Sequence, residues 1–179
     1  MRDATPDDAA AIRRVQVDTW RVAYLHLLPA EVLDSLSYDD SMWRRILSER
    51  RADGAVFVIE RDRHVIGFVS VGPERTADPV HRGEIYAIYV LPGHQRKGIG
   101  RELMRRGAEA LAARGIGSLL LWVLRENAAG RAFYERLGGR RLREKQERLH
   151  GVEVVEVAYG WEDTAPLRAS RSAALPRRP

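Results

Sequence analysis

The residues with the clearest chemical potential form one stretch, Gln95-Arg96-Lys97-Gly98-Ile99-Gly100. It follows an apolar segment ending near Val90 and runs straight into an amphipathic one. A helix starting here presents unpaired N–H groups and the positive end of its dipole, which suits an anion such as a phosphate. Gly98 and Gly100 have no side chain to keep a phosphate away, and Arg96 and Lys97 add positive charge at the rim. Taken alone, the turn is equally an ordinary strand–helix connection. Its spacing is not that of the dinucleotide fingerprint, and no Walker-type sequence occurs. The chain has no cysteine, which excludes disulfides, thiolate metal sites and a cysteine nucleophile. His64, His81, His94 and His150 share no metal-ligand spacing, so no metal is expected.

Positioning such a turn requires a strand before it and a helix after it. Gly83–Val90 reads as the strand. Ile99–Arg114 reads as the helix, with Ile99, Leu103, Gly107 and Leu111 on one face. Ser118–Leu124 is a continuous apolar run, the pattern of a strand buried on both faces in a parallel pair. Asn127–Leu137 reads as a short helix ended by Gly138-Gly139. Hairpins flank this centre: Ala55–Glu60 with His64–Val71, linked through Arg61-Asp62-Arg63, and Arg141–Leu149 with Val152–Trp161, turning at His150-Gly151.

Three helices are expected upstream. The first is capped at Thr5-Pro6 and carries Ile12, Val15, Thr19 and Val22 at helical spacing. The second opens at Pro29 and includes Val32, Leu33 and Leu36. The third runs from about Asp39 to Arg50, capped by Ser37, with Met42, Trp43, Ile46 and Leu47 inward. The fold class expected is a mixed α/β sheet with helices on its faces.

Together these features resemble the GNAT superfamily of N-acetyltransferases. That family's cofactor motif, Gln/Arg-x-x-Gly-x-Gly/Ala, stands here as Gln95 to Gly100. Its downstream segment stands here as Asn127 followed by Ala132-Phe133-Tyr134-Glu135-Arg136-Leu137-Gly138. The resemblance covers about Arg2 to Trp161 and implies a mostly antiparallel twisted sheet with a central parallel pair. One departure is that only Met1 to Ala4 is available for the usual first strand.

The resemblance implies that acetyl-CoA is the cosubstrate. Backbone N–H groups from Gln95 through Arg96, Lys97, Gly98 and Ile99 to Gly100 would hold its pyrophosphate. The backbone around Ile88, Tyr89 and Val90 would pair with the pantetheine arm, while their side chains fill the sheet. Tyr134 would protonate the leaving thiolate, since a phenol stays protonated at neutral pH. Asn127 would bond the cofactor or cap its helix, or both.

Glu84 is the candidate base for the acceptor amine, acting through water. A two-residue period would place it on the same strand face as Tyr86, Ile88 and Val90, and Tyr86 could orient water or acceptor there. Trp20 and Tyr24 could line the acceptor pocket, although a tryptophan at helical spacing, as Trp20 is, more often belongs to the core. The Arg-rich segment with Arg140, Arg141, Arg143 and Arg148 reads as a solvated face.

Hydrophobic residues make up 45% of the 179 and charged ones 31%, an ordinary globular mixture for one domain. No apolar run approaches the ~18–20 residues that span a bilayer, and the polar first residues do not resemble a signal peptide; a cytoplasmic setting is expected. The net charge is +5, of which Arg168, Arg171, Arg177 and Arg178 supply four. The first 163 residues are therefore near +1 and are expected to be the domain, with 164–179 a basic, disordered tail. A charge so placed does not point to specific nucleic-acid binding. The expected reaction is direct acetyl transfer to a primary amine, on a small molecule or a protein. The alternative is a non-catalytic acyl-CoA sensor or interaction module on the same fold. A homodimer is compatible with the resemblance.

Overall fold

The computed structural model describes residues 1–26, 28–49 and 53–169. Its centre is a seven-stranded sheet in the order β1-β2-β3-β4-β5-β7-β6. The strands are β1 (Arg2–Asp3), β2 (Ala55–Arg61), β3 (His64–Pro73), β4 (Gly83–Val90), β5 (Leu119–Leu124), β6 (Arg140–Leu149) and β7 (Val152–Trp161). Only β4 and β5 run parallel. The helices are α1 (Ala9–Ala23), α2 (Ala30–Asp34), α3 (Ser41–Ser48), α4 (Ile99–Ala112), α5 (Ala128–Arg136) and α6 (Ala165–Ala169).

Helix α4 covers one sheet face. Its row Ile99, Leu103, Gly107 and Leu111 is buried against Val69, Val71 and Ile85. Each fully buried leucine contributes roughly 1.5–3 kcal/mol of hydrophobic free energy. Gly107 lets the helix approach closely: a Cβ there would stand 2.9 Å from Val71 Cγ1. Helices α1 and α3 cover the other face, with Ile12, Val15, Trp43 and Leu47 on Val58, Val65 and Phe68. The apolar run of β5 is explained by this sandwich, since Leu119 and Leu121 face α4 while Leu124 joins Val17, Tyr24 and Leu33 beneath α1 and α2.

The hairpins turn where expected. Asp62 and Arg63 both hold positive φ (50° and 64°), as do His150 and Gly151 (47° and 85°), the conformation a tight two-residue hairpin turn requires.

Some boundaries differ. α3 begins at Ser41 with Asp40 at its N-cap position, because the Ser37 hydroxyl and then the Asp39 carboxylate take up the N–H groups of Asp39 and Ser41 in local turns. Met42 is exposed rather than inward, as is Val22 in the last turn of α1, and Leu36 is buried but lies beyond α2. Arg50, the expected end of α3, lies outside the described residues. The segment 164–179 also begins differently from a disordered tail. Thr164 is fully buried, and α6 sets Leu167, 3% exposed, into the core beside α4. Composition hid this single apolar anchor among Ala, Ser and Arg. Residues 170–179 lie outside the described ones.

Candidate active site

The central parallel pair is short. β4 and β5 pair only from Gly83–Ile85 to Leu119–Leu121. Beyond Leu121, β5 pairs with β7 alone, and beyond Ile85, β4 pairs with β3 alone. Among the described residues, the β4 edge from Ala87 to Val90 therefore faces β5 without a strand partner. It is a row of backbone donors and acceptors that an extended molecule can join.

This edge leads into the glycine turn. Val90 is followed by a 3-10 turn at Pro92–His94 and then Gly98, whose φ of 83° makes it the left-handed N-cap of α4. Arg96 also holds positive φ, 61°. The Gln95 side-chain amide donates to the Val90 carbonyl at 2.9 Å, and the Thr19 hydroxyl lies 3.4 Å from the same oxygen. Lys97 Nζ donates back to Gly93 O at 2.7 Å, so its ammonium closes the turn and sits at its surface. Gly100 packs closely on α5: a Cβ there would stand 3.1 Å from the Phe133 ring, which would have to shift slightly. The turn thus offers bare backbone at the start of a 14-residue helix, a cradle fit for a phosphate.

Tyr134 lies in α5, buried among Phe133, Tyr159 and Trp161. Burial pushes its phenol well above the ordinary value, with Tyr89 adding to the effect. It therefore stays a proton donor. Asn127 Oδ1 accepts from Gly130 N at 2.9 Å, so the capping role is made, and its side chain also lies at the Tyr24 hydroxyl.

Tyr24 is buried, and its phenol is raised by burial first and by Tyr89 and Tyr134 next. Tyr89 is pushed up to about 12 by burial. Three phenols from α1, β4 and α5 thus gather where β4 and β5 separate. Trp20 meets Tyr24 edge-on at 5.1 Å and His150 at 6.0 Å, and its buried Nε1 lies at the Tyr89 hydroxyl. Tyr89 is more than sheet filling, because its phenol is part of this cluster.

The structure corrects the placement of Glu84. β3 and β4 pair Ser70 with Ala87 and then Val71 with Ile85, leaving Tyr86 as an extra residue in a β-bulge. A bulge breaks the two-residue alternation. Ile85, Ile88 and Val90 consequently all face α4, whereas Ala87 and Tyr89 face α1 and α3. Glu84, paired with Leu120, points away from α4 and does not share a face with Ile88 and Val90. Nor is it an edge residue: it is 2% exposed, and Arg75 grips both its oxygens, Nε to Oε2 at 3.0 Å and Nη2 to Oε1 at 2.5 Å. The Arg75 guanidinium lies 4.4 Å over the Tyr86 ring, whose hydroxyl donates to Pro73 O at 2.6 Å.

Sequence reasoning missed Arg75, which sits in a polar loop with no periodicity, and the side chain of Tyr89. It also missed Glu156, whose charge reaches both Tyr24 and Tyr89 and which pairs with Lys145 at 3.1 Å. Among the described residues, no group of three His, Asp or Glu side chains is arranged to hold a metal ion, and no helix is long and apolar enough to cross a membrane.

Comparison with known proteins agrees with this geometry. Residues 10–139 match the model of the acetyltransferase (GNAT) family. The chain is 36% identical over 171 residues to an uncharacterized N-acetyltransferase, YuaI, of Bacillus subtilis, covering 94% of this chain and 95% of that one. It is 30% identical over 173 residues to a probable N-acetyltransferase of Mycobacterium tuberculosis, covering 93% and 95%. Among solved structures, the PaiA N-acetyltransferase of Thermoplasma acidophilum in complex with coenzyme A superposes with a TM-score of 0.69 at 21% identity, covering 87% and 95%. An open parallel pair leading into a glycine turn, in a chain so closely related to N-acetyltransferases, settles the assignment: the protein belongs to the GNAT family of acetyltransferases, whose cosubstrate is acetyl-CoA.

Proposed function

We propose that this chain transfers the acetyl group of acetyl-CoA directly to a primary amine in a ternary complex, in a cytoplasmic setting. The observation that carries the reading is the β4 edge from Ala87 to Val90, which has no strand partner on the β5 side among the described residues, running into the glycine turn at Arg96 to Gly100. The pantetheine arm joins that edge as an added strand, and the pyrophosphate rests on the turn. Backbone N–H groups of that edge face the thioester oxygen as negative charge develops on it. Tyr134, held protonated by burial, donates to the departing thiolate.

The acceptor approaches from the α1 side, where Trp20, Tyr24 and Tyr86 lie. A lysine-type amine, with a reference pKa of ~10.4, must lose a proton before it attacks. Glu84 is the candidate to take it through water, and to do so it must yield part of its pairing with Arg75. The competing reading is a non-catalytic acyl-CoA-binding module, favoured by that same pairing.

Calorimetric titration with acetyl-CoA, beside a Gly98→Glu variant, tests the cofactor site. Micromolar binding lost in the variant is expected. Release of free coenzyme A thiol on adding amines separates the enzyme from the module, and binding without release would leave the module standing.

A further inference from the structure

The turn between β3 and β4 is built around two carboxylates. Glu74 accepts from the N–H groups of Thr76 and Asp78, the former at 2.7 Å and the latter at 2.8 Å, and from the Thr76 hydroxyl. Asp78 accepts from the N–H groups of Val80 and His81 and bonds the His81 ring at 3.0 Å. Burial opposes the charge on Asp78, but these donors and Arg143 outweigh it and hold its carboxyl well below the usual range. The turn is thus held by many bonds, and it fixes two guanidiniums, its own Arg75 and Arg143 of β6.

The two are held alike. Arg75 is anchored by Glu84 and lies over the Tyr86 ring. Arg143, from β6, is anchored by Asp78, bonds the Thr76 hydroxyl at 3.3 Å and lies over the Trp122 ring at 5.4 Å. In both pairs the carboxylate is inside and the cation outside: Glu84 and Asp78 are 2% and 4% exposed, Arg75 and Arg143 63% and 42%.

Arg75 spends Nε and Nη2 on Glu84 and leaves Nη1 without a hydrogen bond among the described residues; Arg143 spends both Nη groups and leaves Nε so. A guanidinium has five donors in a fixed fork, and one already fixed by a carboxylate and a ring has little conformational freedom left to lose on binding a second anion. Leu120 and Trp122 occupy alternate positions on β5, and Glu84 pairs with Leu120, so both cations flank the point where β4 and β5 part. That is where the acceptor's amine must reach the thioester.

Resting on the acetyltransferase reading, we propose that Arg75 and Arg143 form a clamp for a carboxylate carried by the acceptor, so that the acceptor class is amines that also bear a carboxylate, such as free amino acids. Engagement of Arg75 by that carboxylate weakens its hold on Glu84, so that correct acceptor binding frees the base.

The test measures thiol release from acetyl-CoA by the full chain at low ionic strength, with the free amino acids and their amides offered in pairs. For pairs that are turned over, kcat/KM is expected to be at least tenfold higher for the acid, the difference lying mainly in KM. In Arg143→Gln the acid-to-amide ratio falls toward one, and Arg143→Lys, which keeps the charge without the fork, keeps part of it. Equal use of acids and amides, a preference for amides, or a preference surviving Arg143→Gln overturns the clamp. If acetyl-CoA binds but no pair is turned over, succinate is titrated into the acetyl-CoA complex: binding lost in Arg143→Gln upholds the clamp, and no binding overturns it. If acetyl-CoA itself does not bind, the acetyltransferase reading falls, and succinate binding to the free protein decides the clamp by the same criterion.

Discussion

The Gln95 side-chain amide donates to the Val90 carbonyl oxygen at 2.9 Å, fastening the first residue of the glycine turn to the last residue of β4, the strand proposed to take the pantetheine arm. This side chain helps to set the two halves of the proposed cofactor site relative to each other. Gln95→Leu keeps the volume and loses the bond, which is worth about 0.5–1.5 kcal/mol. Acetyl-CoA affinity by calorimetry should fall about three- to tenfold, and the thermal midpoint should drop by a few degrees at most. An unchanged affinity would show that the turn holds its place without this bond.

Gly98 sits at φ 83°, where a Cβ is strained. Gly98→Ala should cost about 1–2 kcal/mol, a drop in thermal midpoint of a few degrees for a chain of this size. Gly93 has a negative φ and open space around it, so Gly93→Ala serves as the neutral control. Equal melting of the two variants would remove the strain argument.

Tyr134→Phe removes the proposed acid and leaves the ring against Phe133, Tyr159 and Trp161. kcat should fall by about 10²–10⁴, the usual range for one acid–base group, while the Kd for acetyl-CoA stays within about twofold. Full turnover by the variant would assign thiolate protonation to another group.

The buried phenols make the fold alkali-sensitive. Tyr89 is raised to about 12, and Tyr24 and Tyr134 are raised too, all mainly by burial. The unfolded chain loses these protons near pH 10, before the folded one does. Their contribution is therefore complete below pH 10 and is lost as pH rises through the folded-state values. Thermal melts between pH 8 and 11.5 should show stability falling above pH 10, and the fall should be shallower in Tyr89→Phe. Parallel curves for the two proteins would contradict the assignment.

Much of this architecture is readable from residue order. The α4 row Ile99-Leu103-Gly107-Leu111 and the doubly buried run of β5 follow from periodicity, and the turn at Gln95 to Gly100 from its glycines and charges. What escapes is set by pairing between distant segments. The bulge at Tyr86 is a mismatch of β4 against β3, invisible within either strand, and it alone moves Glu84 to the other face. Arg75 lies nine residues before its partner in a loop without a repeating pattern. Leu167 is one apolar residue in a basic stretch, and only the α4 surface beneath it explains its burial.

The three residue pairs that join β4 to β5 make this sheet two plates sharing a narrow seam, β1–β4 on one side and β5–β7 on the other. An extended molecule lying along Ala87–Val90 would act as mortar between them. Amide hydrogen exchange should therefore slow along β4 and β5 together when acetyl-CoA binds, with the plates' outer strands little changed. In such a design the cosubstrate is also a structural member, and the molecule is stiffest when it is ready to react.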